Sequence, residues 1–245
     1  MTHRLRISVA AAAVTAALIS SIPTVTPSAG AATSASSLYQ AAIKAAGAQS
    51  VHYVSRAVES GVVLEVVGDT GVSKGSQVLV IEGSSAIESL EVILIGGTGY
   101  VRGNVTALEK VLGLSAAQAK ANLNTWLSFP AAEKGVAAIV GGLRNSDVAQ
   151  ELGMTGPYTL AGKKKINGVN TIGINGTAAS TTGGSVPIVL YVATGKVPRP
   201  IEEVTNPKKK ATAIQEVVHF SRWGEKNHTK APSHSVTLAS LAGTS

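Results

Sequence analysis

Between residues 61 and 103 the apolar positions gather into three short runs, each bounded by Gly, Asp or Ser. The runs centre on Val62-Val63-Leu64-Glu65-Val66-Val67, Val78-Leu79-Val80-Ile81 and Val92-Ile93-Leu94-Ile95. β-Branched residues dominate, which predicts neighbouring strands joined by short turns. A strand shows alternate residues to opposite faces, so Val62, Leu64 and Val66 share one face and Val63, Glu65 and Val67 the other. The second and third runs are apolar on both faces too. A sheet packed on one side alternates apolar with polar. This sheet is therefore expected to be covered on both faces, by the rest of the chain or by a ligand.

A strand at 51–58 leads into this sheet and another at 98–102 follows it. Ser37 is a candidate cap for a helix at 38–48, and Asn104 for one at 105–112. Ser115 with Gln118 has capping-box spacing for a helix at 116–123. An extended piece at 125–130 holds Trp126, and further helices are expected at 131–141 and, capped by Ser146, at 147–152. Strand patterning returns at 158–166 and 169–177, joined by Asn167-Gly168, the strongest short hairpin signal. Strands at 186–193, 200–204 and 211–223 complete the series, and the polar segment beyond Pro232 is expected to fray. Strands, helices and strands again predict one α+β domain over 32–232, with 105–152 laid across the concave face of an antiparallel sheet and 233–245 a flexible tail.

Composition adds three constraints. Aromatic content is only 4%, so the core must be built from Val, Ile, Leu and Ala. There is no Cys, which excludes disulfides, thiolate metal sites and a catalytic thiol. The net charge of +7 points to an anionic partner, although the basic residues are scattered except for Lys163, Lys164, Lys165 and Lys208, Lys209, Lys210. Residues 1–31 read as a secretory signal peptide: Arg4 and Arg6 precede an apolar stretch, and Ala29-Gly30-Ala31 is the cleavage site. Thr15, Ser20, Ser21 and Pro23 interrupt that stretch, leaving it short of the about 20 residues a spanning helix needs. Export with cleavage after Ala31 is expected.

Several landmarks carry a family resemblance. Val92-Ile93-Leu94-Ile95-Gly96-Gly97-Thr98-Gly99-Tyr100-Val101, Trp126 and Gly162-Lys163-Lys164-Lys165-Ile166-Asn167-Gly168-Val169 occur in order. Phe220-Ser221-Arg222-Trp223-Gly224-Glu225 and Ala231-Pro232 close the series. Together they resemble the LppX/LprAFG lipoproteins, over most of the chain beyond the signal peptide. The resemblance implies an incomplete antiparallel β-barrel, a strongly curved sheet with helices on its concave side, enclosing a lipid-sized cavity as in carriers of the LolA type. It also implies binding or shuttling of lipids or glycolipids in the cell envelope. Those lipoproteins are usually anchored through an acylated Cys. Here Ser28-Ala29-Gly30-Ala31 has the small residues without the Cys, so an unanchored secreted form is expected.

Other motifs carry less chemistry. Gly97-Thr98-Gly99-Tyr100-Val101-Arg102 begins like a dinucleotide fingerprint, but Arg102 replaces the third Gly and no βαβ unit surrounds it. His52, His219, His228 and His234 lack a metal-ligand spacing. Neither cofactor nor nucleic acid is expected, and the chain is read as a non-catalytic monomer. The lysine triplets read as solvated strand ends or as contacts to anionic lipid headgroups. Trp126 reads as core or as cavity mouth.

Two function classes follow: a carrier holding acyl chains in a cavity, or an envelope structural protein whose interior is filled by its own side chains. For the carrier, the expected wall comprises Val62, Leu64, Val66, Val78, Val80, Val92 and Leu94 from the strands, with Leu108, Leu112, Trp126, Ile139, Val140 and Leu143 from the segment across them.

Overall fold

The structure is a computed structural model that describes residues 34–83, 86–179, 184–206 and 215–241. The signal peptide and Lys208, Lys209 and Lys210 lie outside the described residues. Helix α1 (Ala35–Ala48) precedes five strands, β1 (His52–Glu59), β2 (Val62–Asp69), β3 (Lys74–Glu82), β4 (Ile87–Ile95) and β5 (Thr98–Gly103). Helices α2 (Val105–Leu112) and α3 (Ala116–Ala121), strand β6 (Leu127–Pro130), a 3-10 turn (Ala137–Val140) and α4 (Asn145–Glu151) form the middle of the chain. Strands β7 (Thr155–Ile166), β8 (Val169–Ala179), β9 (Ser185–Ala193), β10 (Pro200–Thr205) and β11 (Gln215–Ser221) follow, then a short β12 (Val236–Thr237) and a 3-10 turn (Leu238–Leu241).

Local chemistry sets most of these boundaries. Ser34, rather than Ser37, caps α1 by accepting the Ser37 amide. Asn104 caps α2 through the Ala107 amide, and Gly113 ends it in the left-handed region at φ 70°. Ser115 and Gln118 form the anticipated capping box. Asn167 and Gly168 both adopt positive φ, as a tight hairpin between β7 and β8 requires. The helix expected at 131–141 is reduced to the 3-10 turn, because Gly135 and Gly142 take φ of +101° and +76° in and beside that segment. The last helix begins at Asn145, where the Asp147 side chain accepts the Arg144 amide. The segment beyond Pro232, expected to fray, contributes a twelfth strand that runs parallel to β6.

The twelve strands of the described residues form one sheet in the order β12-β6-β5-β4-β3-β2-β1-β11-β10-β9-β8-β7. Pairing of β1 with β11 joins the strands on either side of the helical segment. The expected incomplete barrel is not what forms: the sheet is open, mixed in direction, and neither closed nor strongly curled. Closure needs edge strands that can pair. Here one edge is β12, two residues long, and the other is β7, which carries three consecutive lysines and two register shifts. Short, charged or bulged edges resist further pairing.

The helices cover one face only. Following the register, Val66 lies beside Leu79 and Leu79 beside Leu90, while Gly68, Gln77, Val92, Val101 and Leu127 form the next row of the same face. On this inner face sit two apolar cores. One joins β3–β6 to α2, α3 and residues 136–143, around Leu94, Leu108, Phe129 and Leu143. The other joins β1, β8, β9 and β11 to α1 and α4, around Tyr39, Tyr53, Ile174 and Leu190. Val66 packs against both. Among the described residues nothing forms the second cover that the outer face's apolarity suggested, and Val54, Val67 and Val78 stay 38–43% exposed there. Among the described residues no helix is long and apolar enough to cross a membrane.

At Gly75 the sheet comes close to the segment just before α4. A Cβ there would stand 2.3 Å from the Leu143 carbonyl oxygen and 2.9 Å from that of Asp69, both backbone atoms. Gly75→Ala must therefore push the layers apart, at a cost of about 1–3 kcal/mol. A urea midpoint equal to that of the parent would refute this contact.

Candidate ligand cleft

Between the two cores runs a seam of buried polar groups. The Tyr53 hydroxyl donates to Gln77 Oε1 at 2.6 Å, and Gln77 Nε2 donates to the Ile139 carbonyl at 2.8 Å. Thr70 Oγ1 accepts the Val51 amide and donates to Asn145 Oδ1 at 3.0 Å. The Asn145 amide in turn bonds the Gly71 carbonyl, so the start of α4 is tied to the sheet. Each of these side chains would be costly to bury alone, and here each has a partner.

Beside this seam lies a cleft of about 420 Å³. Ala131, Ala132, Ala137 and Val140 give it an apolar side, and Arg144, Asp147, Gln150 and Glu151 a polar one. Gly97, in the β4–β5 turn, sits at its edge, so the cleft opens at the end of the sheet where that turn lies. Arg144 donates to the Gly96 carbonyl at 3.4 Å and stands 3.9 Å from Asp147. A Cβ on Gly142 would lie 3.3 Å from both Glu151 Oε1 and the Tyr53 hydroxyl, so the glycine lets the carboxylate end of Glu151 fold down against the seam. Burial, then the nearby Asp147 and Glu216, push the Glu151 carboxyl up to about 7, although part of the side chain reaches solvent at the mouth. Burial also raises the Tyr53 hydroxyl, which stays protonated and a donor. The cleft thus offers a small apolar wall facing hydrogen-bonding groups, one of which changes charge near neutrality.

The expected wall residues are distributed unevenly. Val92, Leu94, Leu108 and Leu143 have no exposed surface and pack against one another with Ile139 and Val140 in the first core. Leu112 and Val66 pack at its margin. Val62 and Leu64 lie half-buried on the inner face. Val78 and Val80 do not join them: Val78 pairs with Val67 and Glu91, which places both valines on the outer face. Trp126 also lies on the outer side, under the Arg102 guanidinium at 4.7 Å. Only Val140 of the expected set lines the cleft, and its polar residues were not anticipated.

The lysine triplet on β7 lines a second cleft, of about 350 Å³, with Asn170, Thr171 and Thr194. Lys164 is committed to Glu202 Oε1 at 2.9 Å and stands 4.8 Å over the Tyr191 ring. The strand residues flanking the other triplet, Thr205 and Gln215, lie at the opposite end of the sheet. Against the expectation that the sequence holds no Gly-x-Ser-x-Gly nucleophile elbow, Gly71-Val72-Ser73-Lys74-Gly75 has that spacing. It connects two antiparallel strands and no helix follows it, so it lacks the strand-turn-helix that presents such a serine. Among the described residues no three His, Asp or Glu side chains gather in a metal-binding group.

No protein-family model and no curated protein matches the chain. Solved structures do. The crystal structure of LprF from Mycobacterium bovis matches with a TM-score of 0.54 at 18% identity, over 82% of this chain and 97% of that one. The lipoprotein LppX of Mycobacterium tuberculosis matches with a TM-score of 0.46 at 12% identity, over 80% and 98%. A LolA superfamily protein from Nitrosomonas europaea gives 0.28 at 11%, over 81% and 96%. The layered sheet and its helices, followed almost from end to end, have the fold of LprF.

Proposed function

We propose that the protein is a secreted, non-catalytic carrier that takes up the acyl part of a lipid or glycolipid through the cleft beside α4. The observation behind this reading is the cleft's two-sidedness: an alanine and valine wall faces Arg144, Gln150 and Glu151, next to the seam where the two apolar cores part. An acyl chain would enter along the alanine side while its polar head stays with the charged groups. Burying a methylene is worth about 0.8 kcal/mol, so a chain of about ten methylenes brings about 8 kcal/mol, from which the lost freedom of motion subtracts several. Micromolar affinity is the expected scale. The signal-like start and the missing Cys fit a free form outside the cytoplasm, cleaved after Ala31. The partners on this reading are the lipid and an anionic membrane surface, with the chain acting as a monomer.

One observation favours a second reading, an envelope structural protein without a lipid. Most of the expected wall is already packed against itself, Val92, Leu94, Leu108 and Leu143 being fully buried. Uptake of a fluorescent lipid, together with native mass spectrometry of the purified protein, separates the two. Ala137 is exposed and lines the cleft, so Ala137→Arg should fold normally and weaken uptake at least tenfold. Uptake unchanged by Ala137→Arg would remove the cleft as the entry. A parent protein that takes up no lipid and carries none would leave the structural reading.

A further inference from the structure

Antiparallel pairing places the β2–β3, β4–β5, β7–β8 and β9–β10 connections at the same end of the sheet. The last two are neighbours, since the Thr194 amide bonds the Asn170 carbonyl. Each presents an exposed valine, Val169 at 38% and Val197 at 40%, and an exposed lysine, Lys165, which pairs with Asn170, and Lys196. Val72, 83% exposed, tips the β2–β3 connection just before Lys74. At the opposite end the described strand termini carry Glu59 and Glu82, with a single exposed apolar terminus, Ile87 at 58%, whose neighbour Glu88 is paired to Lys110. Three valines are thus held out in water at an end that also carries Lys74, Lys165 and Lys196, where the exposed acid Asp69 is paired to Arg222. Valines of this kind suit the interfacial zone of a bilayer, and lysines suit its anionic headgroups. Gly97 and Arg144, at the mouth of the candidate cleft, belong to the same end: residue 71 bridges to Arg144 one position before Val72.

We propose that this end docks on an anionic lipid bilayer, with Val72, Val169 and Val197 entering the headgroup region and the mouth of the cleft facing the membrane. The inference extends the carrier reading by naming the surface from which a lipid would be loaded. Its physical basis, charge complementarity with exposed apolar tips, does not depend on the cleft being occupied. Lys164, held by Glu202 and Tyr191, contributes less than Lys165 and Lys196.

The test is flotation of the protein with phosphatidylcholine vesicles, with and without phosphatidylglycerol. Binding is expected only with the anionic lipid and should weaken as salt is raised. The double variant Lys165→Gln, Lys196→Gln should bind roughly thirty-fold less tightly, about 1 kcal/mol for each lysine. Val72→Ser with Val197→Ser should also weaken binding several-fold, whereas changing Lys208, Lys209 and Lys210 to Gln should leave it unchanged. Equal binding to neutral vesicles overturns the inference, as does loss of binding only in the Lys208–Lys210 variant. So does binding to a soluble polyanion such as DNA, at the same lysines, with the valine changes silent on vesicles; the partner would then be a polyanion. Lipid uptake in the absence of vesicles, measured on the same variants, keeps the two readings apart. If uptake persists where the parent binds no vesicle, docking falls and the carrier reading stands.

Discussion

Leu94→Asp will leave no folded protein to assay, whereas Leu64→Asp will give a folded protein that can report on the inner face. Leu94 is fully enclosed in the core that joins β4 to α2 and residues 136–143. Its removal costs about 2–5 kcal/mol for the vacated space. The carboxylate that replaces it has no partner in that apolar cluster, and such a group costs several kcal/mol more or holds its proton. Against a total stability of about 5–15 kcal/mol, the sum is disabling. Leu64 sits on the same face but is half-buried, beside Ala57 and Ile81, where an aspartate can reach solvent. Circular dichroism and a urea titration of both variants decide the matter. A Leu94→Asp protein that unfolds cooperatively near the parent's midpoint would mean that this residue faces open space, as an acyl cavity requires.

The contrast between Leu64 and Leu94 shows how much of the fold is legible in the sequence. Strand positions, hairpins and two helix caps follow from local chemistry, and Asn167-Gly168 and Ser115 with Gln118 behave as their types dictate. Strand faces were harder. Val78 and Val80 are as apolar as Leu79 and Ile81, and hydrophobicity cannot choose between them. The signal that could have chosen lies in the acids: Glu65 shares a face with Val67, and Glu91 pairs with Val78, so carboxylates mark the outer face on both sides of β3. The expectation of cover on both faces fails for a related reason: apolarity on two faces does not compel two covers, and the outer valines Val54, Val67 and Val78 remain in contact with water.

The cleft was less legible still. Its lining comes from a segment whose helical pattern is broken by Gly135 and Gly142, and from α4, brought together by bonds between Gly71, Leu143 and Asn145. Nothing local marks Glu151 as lying near Tyr53, about a hundred positions away. Sequence periodicity reports which face an element buries. It does not report which two elements will enclose a space.

Acids that local pattern treats as ordinary lead to the largest pH effect. The protein should be more stable at pH 5 than at pH 9, and Glu203→Gln should remove most of the difference. Glu203 is buried on β10, and its Oε2 lacks a hydrogen-bond partner. Register places it opposite Val218 and Leu190 on the inner face, diagonal to Glu216 of β11, whose Oε1 accepts from Ser55 at 2.7 Å. Burial first, then Glu216 and Glu151, push its carboxyl up to about 8 from 4.5. Between those values the folded state keeps a proton that the unfolded chain has released, so stability falls as pH rises through the window and levels off above it. Glu151, pushed up to about 7, adds to the slope over the lower part of the same range. The loss is on the order of a few kcal/mol, or roughly 5–10 °C in Tm for a chain of this size. Glutamine preserves the shape without the titration, so the variant's Tm should match the parent near pH 5 and exceed it at pH 9. If parent and variant show the same fall in Tm from pH 5 to pH 9, Glu203 is not the buried acid responsible, and β10 does not turn that side chain into the core.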